Sequence, residues 1–148
     1  MIEFFDVNYT AAEYAILREI NLKINSGECV LFAGESGSGK TTLTKLINGL
    51  IPHFYSYGQL DGNVRVQGIP VAETEMYKLA EKIGNVFQNP KSQFFYTDSS
   101  AEIAFGLENR GTPPKHIRQR IAKTAKDLGI ENLLGRNIFK LSGGEKQI

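Results

Sequence analysis

The sequence predicts an α/β fold, and three observations carry that expectation. An apolar run, Cys29 Val30 Leu31 Phe32 Ala33, reads as a buried strand and leads into a glycine-rich stretch, Gly34 Glu35 Ser36 Gly37 Ser38 Gly39 Lys40 Thr41 Thr42. Leu43, Leu46, Ile47 and Leu50 then recur at i, i+3, i+4 and i+7, the spacing of one helix face, so a helix is expected from about Lys40 to just before Pro52. Two further segments near the N-terminus are strand-like.

The first of these, residues 2–9, is rich in strand formers, with Phe5, Val7 and Tyr9 assigned to one face. The second runs from Ile20 to Asn25, with Ile20, Leu22 and Ile24 inward against Asn21, Lys23 and Asn25, as suits an antiparallel strand with one wet side. Ser26 and Gly27 turn the chain into the apolar run at 29–33, where Cys29 is expected to be a small buried hydrophobe.

Gly34 to Thr42 fits the phosphate-loop pattern G-x-x-x-x-G-K-[ST] in its required setting between a strand and a helix, the core of a P-loop NTPase. A polyphosphate can be held by backbone N–H groups turned inward, which demands φ values that glycine adopts cheaply, hence Gly34, Gly37 and Gly39. Glu35, Ser36 and Ser38 complete the loop; the helix N-terminus adds its uncovered N–H groups. Lys40 is expected to reach the β- and γ-phosphates of ATP, Thr41 to face a bridging Mg2+, and Thr42 to serve a neighbouring phosphate.

Beyond that helix, Gly58 to Gly62 reads as a turn, Val64, Val66 and Ile69 as a further β segment, Met76 to Ile83 as a short helix and Ile83 to Phe87 as a short strand ended by Pro90. Ala101 to Leu107 reads as helical. Pro113 and Pro114 open another helix, with Ile117, Ile121, Ala125 and Leu128 as its apolar stripe and Gly129 as its C-cap. The organisation expected is a β part and loop core over about 1–90 and a helical part over about 91–148.

Composition adds limits. Hydrophobic residues make up 41% and charged residues 22% of 148, the balance of an ordinary folded domain. With a net charge of +1, no bulk charge argues for nucleic acid or an anionic membrane, so no nucleic-acid partner is expected, and a single cysteine excludes an internal disulfide. No run of 18 apolar residues and no basic-then-apolar leader is present, so the chain is expected in the cytoplasm or bound to a membrane-embedded partner.

Near the end, Leu141 Ser142 Gly143 Gly144 Glu145 Lys146 Gln147 has the spacing of a capping box, Ser142 with Glu145 three residues on, at the start of a helix. The string LSGGEKQ, about a hundred residues after the phosphate loop, resembles the signature of the ATP-binding-cassette (ABC) family. The resemblance covers the whole chain. It implies that Tyr9 stacks on adenine and that Gln88 contacts magnesium and the attacking water. It also implies that Ser142, Gly143, Gly144, Glu145 and Gln147 close over ATP held by a second subunit, in a homo- or heterodimer. Phe87 Gln88 Asn89 Pro90 Lys91 Ser92 Gln93 Phe94 Phe95 and Asn48 Gly49 Leu50 Ile51 Pro52 His53 are similar to the ATPase subunits of energy-coupling-factor importers of vitamins and transition-metal ions. An integral membrane transport subunit is then the implied partner, with the chain peripheral on the inner face of the cell membrane.

In the family, an aspartate-bearing strand, a catalytic glutamate and a switch histidine follow the signature, and none is found up to Ile148; neither His53 nor His116 takes the last role. The chain is therefore expected to be an incomplete nucleotide-binding domain that binds ATP without measurable turnover. A soluble ABC-type ATPase of DNA repair or translation and a non-catalytic ATP-dependent interaction module are the alternatives.

Overall fold

Phe4 and Val7 are both buried, although they lie three residues apart, an odd spacing that a regular strand cannot direct to one face. The computed structural model, which describes residues 1–87, 89 and 93–148, shows why. Asp6 sits at φ 47° and makes a bulge in β1 (Ile2–Ala11), and the register to β2 (Tyr14–Ile24) shifts between Phe4 and Val7. Phe4 therefore joins Val7 and Tyr9 in the core, and Phe5, expected there, turns outward to 47% exposure under the Arg65 guanidinium.

β2 carries a matching irregularity at Glu19, φ 48°, which brings both Leu17 and Ile20 inward. Two asparagines tie the bulges together. The Asn8 side chain accepts from Glu19 N–H at 2.9 Å and donates to the Asp6 carbonyl at 3.1 Å; Asn21 accepts from Asp6 N–H at 2.9 Å and donates to the Glu19 carbonyl at 3.3 Å. Each side chain supplies partners that the broken ladder withholds.

β3 (Gly58–Val66) pairs with the other edge of β1, and β4 (Ile69–Pro70) follows, in an antiparallel sheet of order β2-β1-β3-β4. The turn expected at Gly58 to Gly62 is instead part of β3. Both glycines answer to close approach: a Cβ on Gly62, φ 88°, would strike the Asp6 carbonyl across the β1 bulge, and one on Gly58 would strike the Tyr9 hydroxyl. α1 (Lys40–Ile47) packs on this sheet through Leu46 and stops earlier than its apolar stripe suggests, because Gly49 at φ 79° breaks the chain before α2 (Leu50–His53). α3 (Met76–Leu79) completes the unit Met1–Asn85, burying Leu79 beside Gly49.

The second unit, Val86–Ile148, holds α4 (Ser99–Glu108) and α5 (Pro114–Leu128). Asp98 caps α4 by accepting from Ala101 N–H at 3.0 Å, and Gly129 ends α5 at φ 66° as expected. Ala104, Ile117, Ala125, Leu133 and Ile138 are buried; Leu128, expected in the stripe, is 52% exposed at the rim of an apolar cavity of about 300 Å3.

Residues 29–33 depart most from expectation. They form no strand, Cys29 is exposed, and Leu31 is 87% exposed. Residues 83–87 form no strand either. A strand apolar on both faces needs neighbours on both sides and layers above and below, and among the described residues no strand pairs with 29–33.

Two measurements check these readings. Asn21→Ala removes two exposed hydrogen bonds from the bulge and is expected to lower stability by about 0.5–1.5 kcal/mol in urea unfolding, with Asn8→Ala costing a similar amount. The uncovered apolar run should promote association between copies, so sedimentation should show concentration-dependent oligomers that Leu31→Lys suppresses; a monodisperse monomer at high concentration would refute this.

Candidate functional site

The loop at 34–39 is exposed along Gly34 to Ser38 and anchored at Gly39, which is buried. A Cβ on Gly39 would lie 2.8 Å from Leu17 Cδ2 and 3.2 Å from the Ile16 carbonyl oxygen, so the loop meets the start of β2 at a point that suits glycine. Gly37 and Gly39 stand at φ 85° and 88° and Gly34 at φ 155°, values that glycine adopts cheaply.

Lys40 holds the loop's shape. Its Nζ donates to the Gly34 carbonyl at 2.9 Å, the Glu35 carbonyl at 2.6 Å and Ser38 Oγ at 3.2 Å. α1 begins directly behind, with Gly39 at the N-cap, no side-chain cap and no acidic residue in its first turn. Its first N–H groups and its positive end therefore remain for an anion. An ammonium on the loop, an uncapped helix start and the hydroxyl of exposed Thr41 make a donor set suited to a polyphosphate and a hard divalent cation. Thr42 is half-buried behind it.

Tyr9 does not belong to this surface. It is 2% exposed, packed in the sheet core against Gly58, and burial, with Tyr57 nearby, pushes its phenol above the usual value. No ring face is open for a base, so the assignment of Tyr9 to adenine stacking is corrected. The bulge at Asp6 is the cause, because it sets Val7, Tyr9 and Ala11 on the inner face. Two exposed aromatics stand at this end of the sheet, Tyr57, 70% exposed and next to Gly58, and Tyr14, 77% exposed; Tyr14 pairs with Ala11 and lies two residues from Ile16, whose carbonyl meets Gly39. Only its place at the exit of the β1–β2 turn marks it in the sequence.

In the second unit the capping box forms in both directions. Ser142 N–H donates to the Glu145 carboxylate at 2.7 Å and Glu145 N–H to Ser142 Oγ at 3.2 Å, which holds the Glu145 carboxyl below its ordinary range. Lys146 N–H reaches the Ser142 carbonyl at 3.2 Å, one helical bond, yet residues 143–147 remain a turn and not the helix expected. A single such bond is the costly nucleus, without propagation. Nothing lies within 4 Å of where a Cβ would stand on Gly143 or Gly144, so their backbone is open. Gln147 is exposed, Gln88 lies outside the described residues, and His53 is engaged with the Val71 carbonyl oxygen at 2.9 Å.

The model of the ABC transporter family matches residues 17–148, which include both the phosphate loop and the LSGGEKQ string. The chain belongs to the ABC transporter family. An ABC transporter ATP-binding protein of Treponema denticola is 51% identical over 140 residues, which span 95% of this chain and 28% of that protein. The energy-coupling factor transporter ATP-binding protein of Ligilactobacillus salivarius is 36% identical over 99% of this chain and 50% of its own length. Among solved structures, the cbiO1 protein of Clostridium perfringens, described as part of the ABC transporter complex cbiONQ, superposes with a TM-score of 0.84 at 30% identity, over 99% of this chain and 57% of that one. The ATP-binding cassette MJ0796, at 24% identity and a TM-score of 0.76, shares the fold. This ABC chain thus spans between about a quarter and half of the curated relatives it matches. Among the described residues no helix is long and apolar enough to cross a membrane, and no group of three His, Cys, Asp or Glu is gathered as for a metal.

The Glu145 carboxyl titrates below its unfolded value, so the order it lends to the signature turn is present above the ordinary carboxylate range and is lost as the pH falls through the depressed value. The protection factor of the Ser142 amide, its exchange rate by NMR relative to that of an unstructured peptide at the same pH, should fall on acidification. Glu145→Ala should remove that pH dependence.

Proposed function

We propose that this chain is the nucleotide-binding part of an ABC importer ATPase, taking MgATP on residues 34–42 and coupling its binding and hydrolysis, within the full-length protein, to transport of a vitamin or metal ion. The observation that carries the reading is the loop itself: three glycines, Lys40 on the loop carbonyls, and an uncapped α1 behind them. The energy-coupling factor relative and the cbiO1 likeness support the importer class.

Lys40 would trade a loop oxygen for the β- and γ-phosphates, the loop N–H groups would receive the phosphate oxygens, and Thr41 with Gln88 would hold the magnesium ion. The metal supplies charge neutralisation between the phosphates when bound. Tyr14, in place of Tyr9, would offer a ring to the base. Ser142 to Gln147, with the open backbone of Gly143 and Gly144, would close over nucleotide carried by a second ATPase subunit, so the working unit is a dimer attached to an integral membrane subunit at the inner face of the membrane.

Calorimetric titration of MgATP tests the reading. Binding by this chain should be abolished in Lys40→Ala, while Tyr14→Ala should weaken it about tenfold, given roughly 1–3 kcal/mol for a stacked base. Tyr9→Phe should leave affinity unchanged. Equal binding by Lys40→Ala would overturn the site, and undiminished binding by Tyr14→Ala would overturn the base assignment.

A further inference from the structure

The net charge of +1 conceals a segregation. Residues 1–85 carry seven basic against ten acidic side chains, and residues 86–148 ten against six, so the first unit is negative and the second positive. The excess lies in one place. From Arg110 to Lys126 there are six Lys and Arg and no Asp or Glu. Arg110, Lys115, Arg118, Arg120, Lys123 and Lys126 are all exposed, and five of them stand on α5.

The helix period gives that charge a direction. Ile117, Ile121 and Ala125 turn inward, and at 3.6 residues per turn Lys115, Lys123 and Lys126 leave from the opposite side, with Arg118 and Arg120 on the flanks. Lys123 pairs with Asp127; Lys115, Arg118, Arg120 and Lys126 enter no ion pair among the described residues. A helix that only needs solvation interleaves acids four residues from its bases. α5 places one acid at its last turn and leaves a row of cations about 16 Å long from Lys115 to Lys126.

We infer that the outer face of α5 is an electrostatic docking surface for the anionic head groups of a phospholipid bilayer. The apolar stripe of α5 is taken up inside its own unit, so the contact is one of charge with head groups and not of insertion. Nucleic acid is the weaker fit, because α5 contains no Phe, Tyr or Trp on which a base could stack and has His116 as its one imidazole, and a membrane is where proteins of this family work. The inference rests on α5 alone and does not require nucleotide.

The test is co-sedimentation of the 148-residue chain, without ATP, with vesicles of phosphatidylcholine and with vesicles of phosphatidylcholine mixed with phosphatidylglycerol. Binding is expected to the mixed vesicles only and to fall steeply with added salt. Lys115→Gln/Arg120→Gln/Lys126→Gln should lower the partition coefficient about a hundredfold, at about fivefold for each cation removed, while Lys115→Arg/Lys126→Arg and, in the first unit, Arg18→Gln/Lys82→Gln should bind like the parent. Equal partition of the triple variant, equal binding to both vesicle types, or capture of duplex DNA without vesicle binding would overturn it. Failure of MgATP binding in the calorimeter leaves this outcome untouched, so the two readings fall separately.

Discussion

The contact between Leu17 and Gly39 is the constraint on which the first unit depends. A methyl group at position 39 would stand 2.8 Å from Leu17 Cδ2 and 3.2 Å from the Ile16 carbonyl oxygen, and the backbone there is at φ 88°, so glycine suits the point where the loop lies against β2. That contact sets where α1 begins and so where its uncapped N–H groups point. It also ties the loop to the bulged hairpin, because Leu17 faces inward only through the irregularity at Glu19. The Asn8 and Asn21 side chains, though they touch no part of the loop, thereby help to place it.

Lys40 shows how one residue serves structure and chemistry. Its ammonium satisfies three oxygens of the loop, two carbonyls and a hydroxyl, which holds the backbone curved around it. An anion arriving there would replace these neutral oxygens with charged ones of its own. The signature turn uses an anionic counterpart of the same device. Ser142 and Glu145 satisfy each other's backbone N–H groups and keep the intervening glycines uncovered.

Whole-chain averages mislead for a chain of two units. A net charge near zero describes a negative β unit and a positive helical unit, and the second concentrates its excess on one helix face. Apolar content misleads in the same way: the run Cys29 to Ala33 reads as interior, yet Leu31 lies exposed, because burial depends on which strands flank a segment and not on its own composition.

Local chemistry was legible from residues alone: the phosphate loop with its three glycines and Lys40, the capping box at Ser142 and Glu145, and the limits of α5 between Pro114 and Gly129. Each rests on backbone preferences of neighbours a few positions apart, which no distant packing has to supply. Tertiary structure decided what depends on partners far along the chain. Asp6 and Glu19 break the two-residue period of their strands, so Phe4 took the core place expected for Phe5. The same shift buried Tyr9 and left Tyr14 as the exposed ring near the loop. Neither bulge is written in its own residue: Asp6 and Glu19 become bulges because Asn21 and Asn8, 15 and 11 positions away, complete their hydrogen bonds.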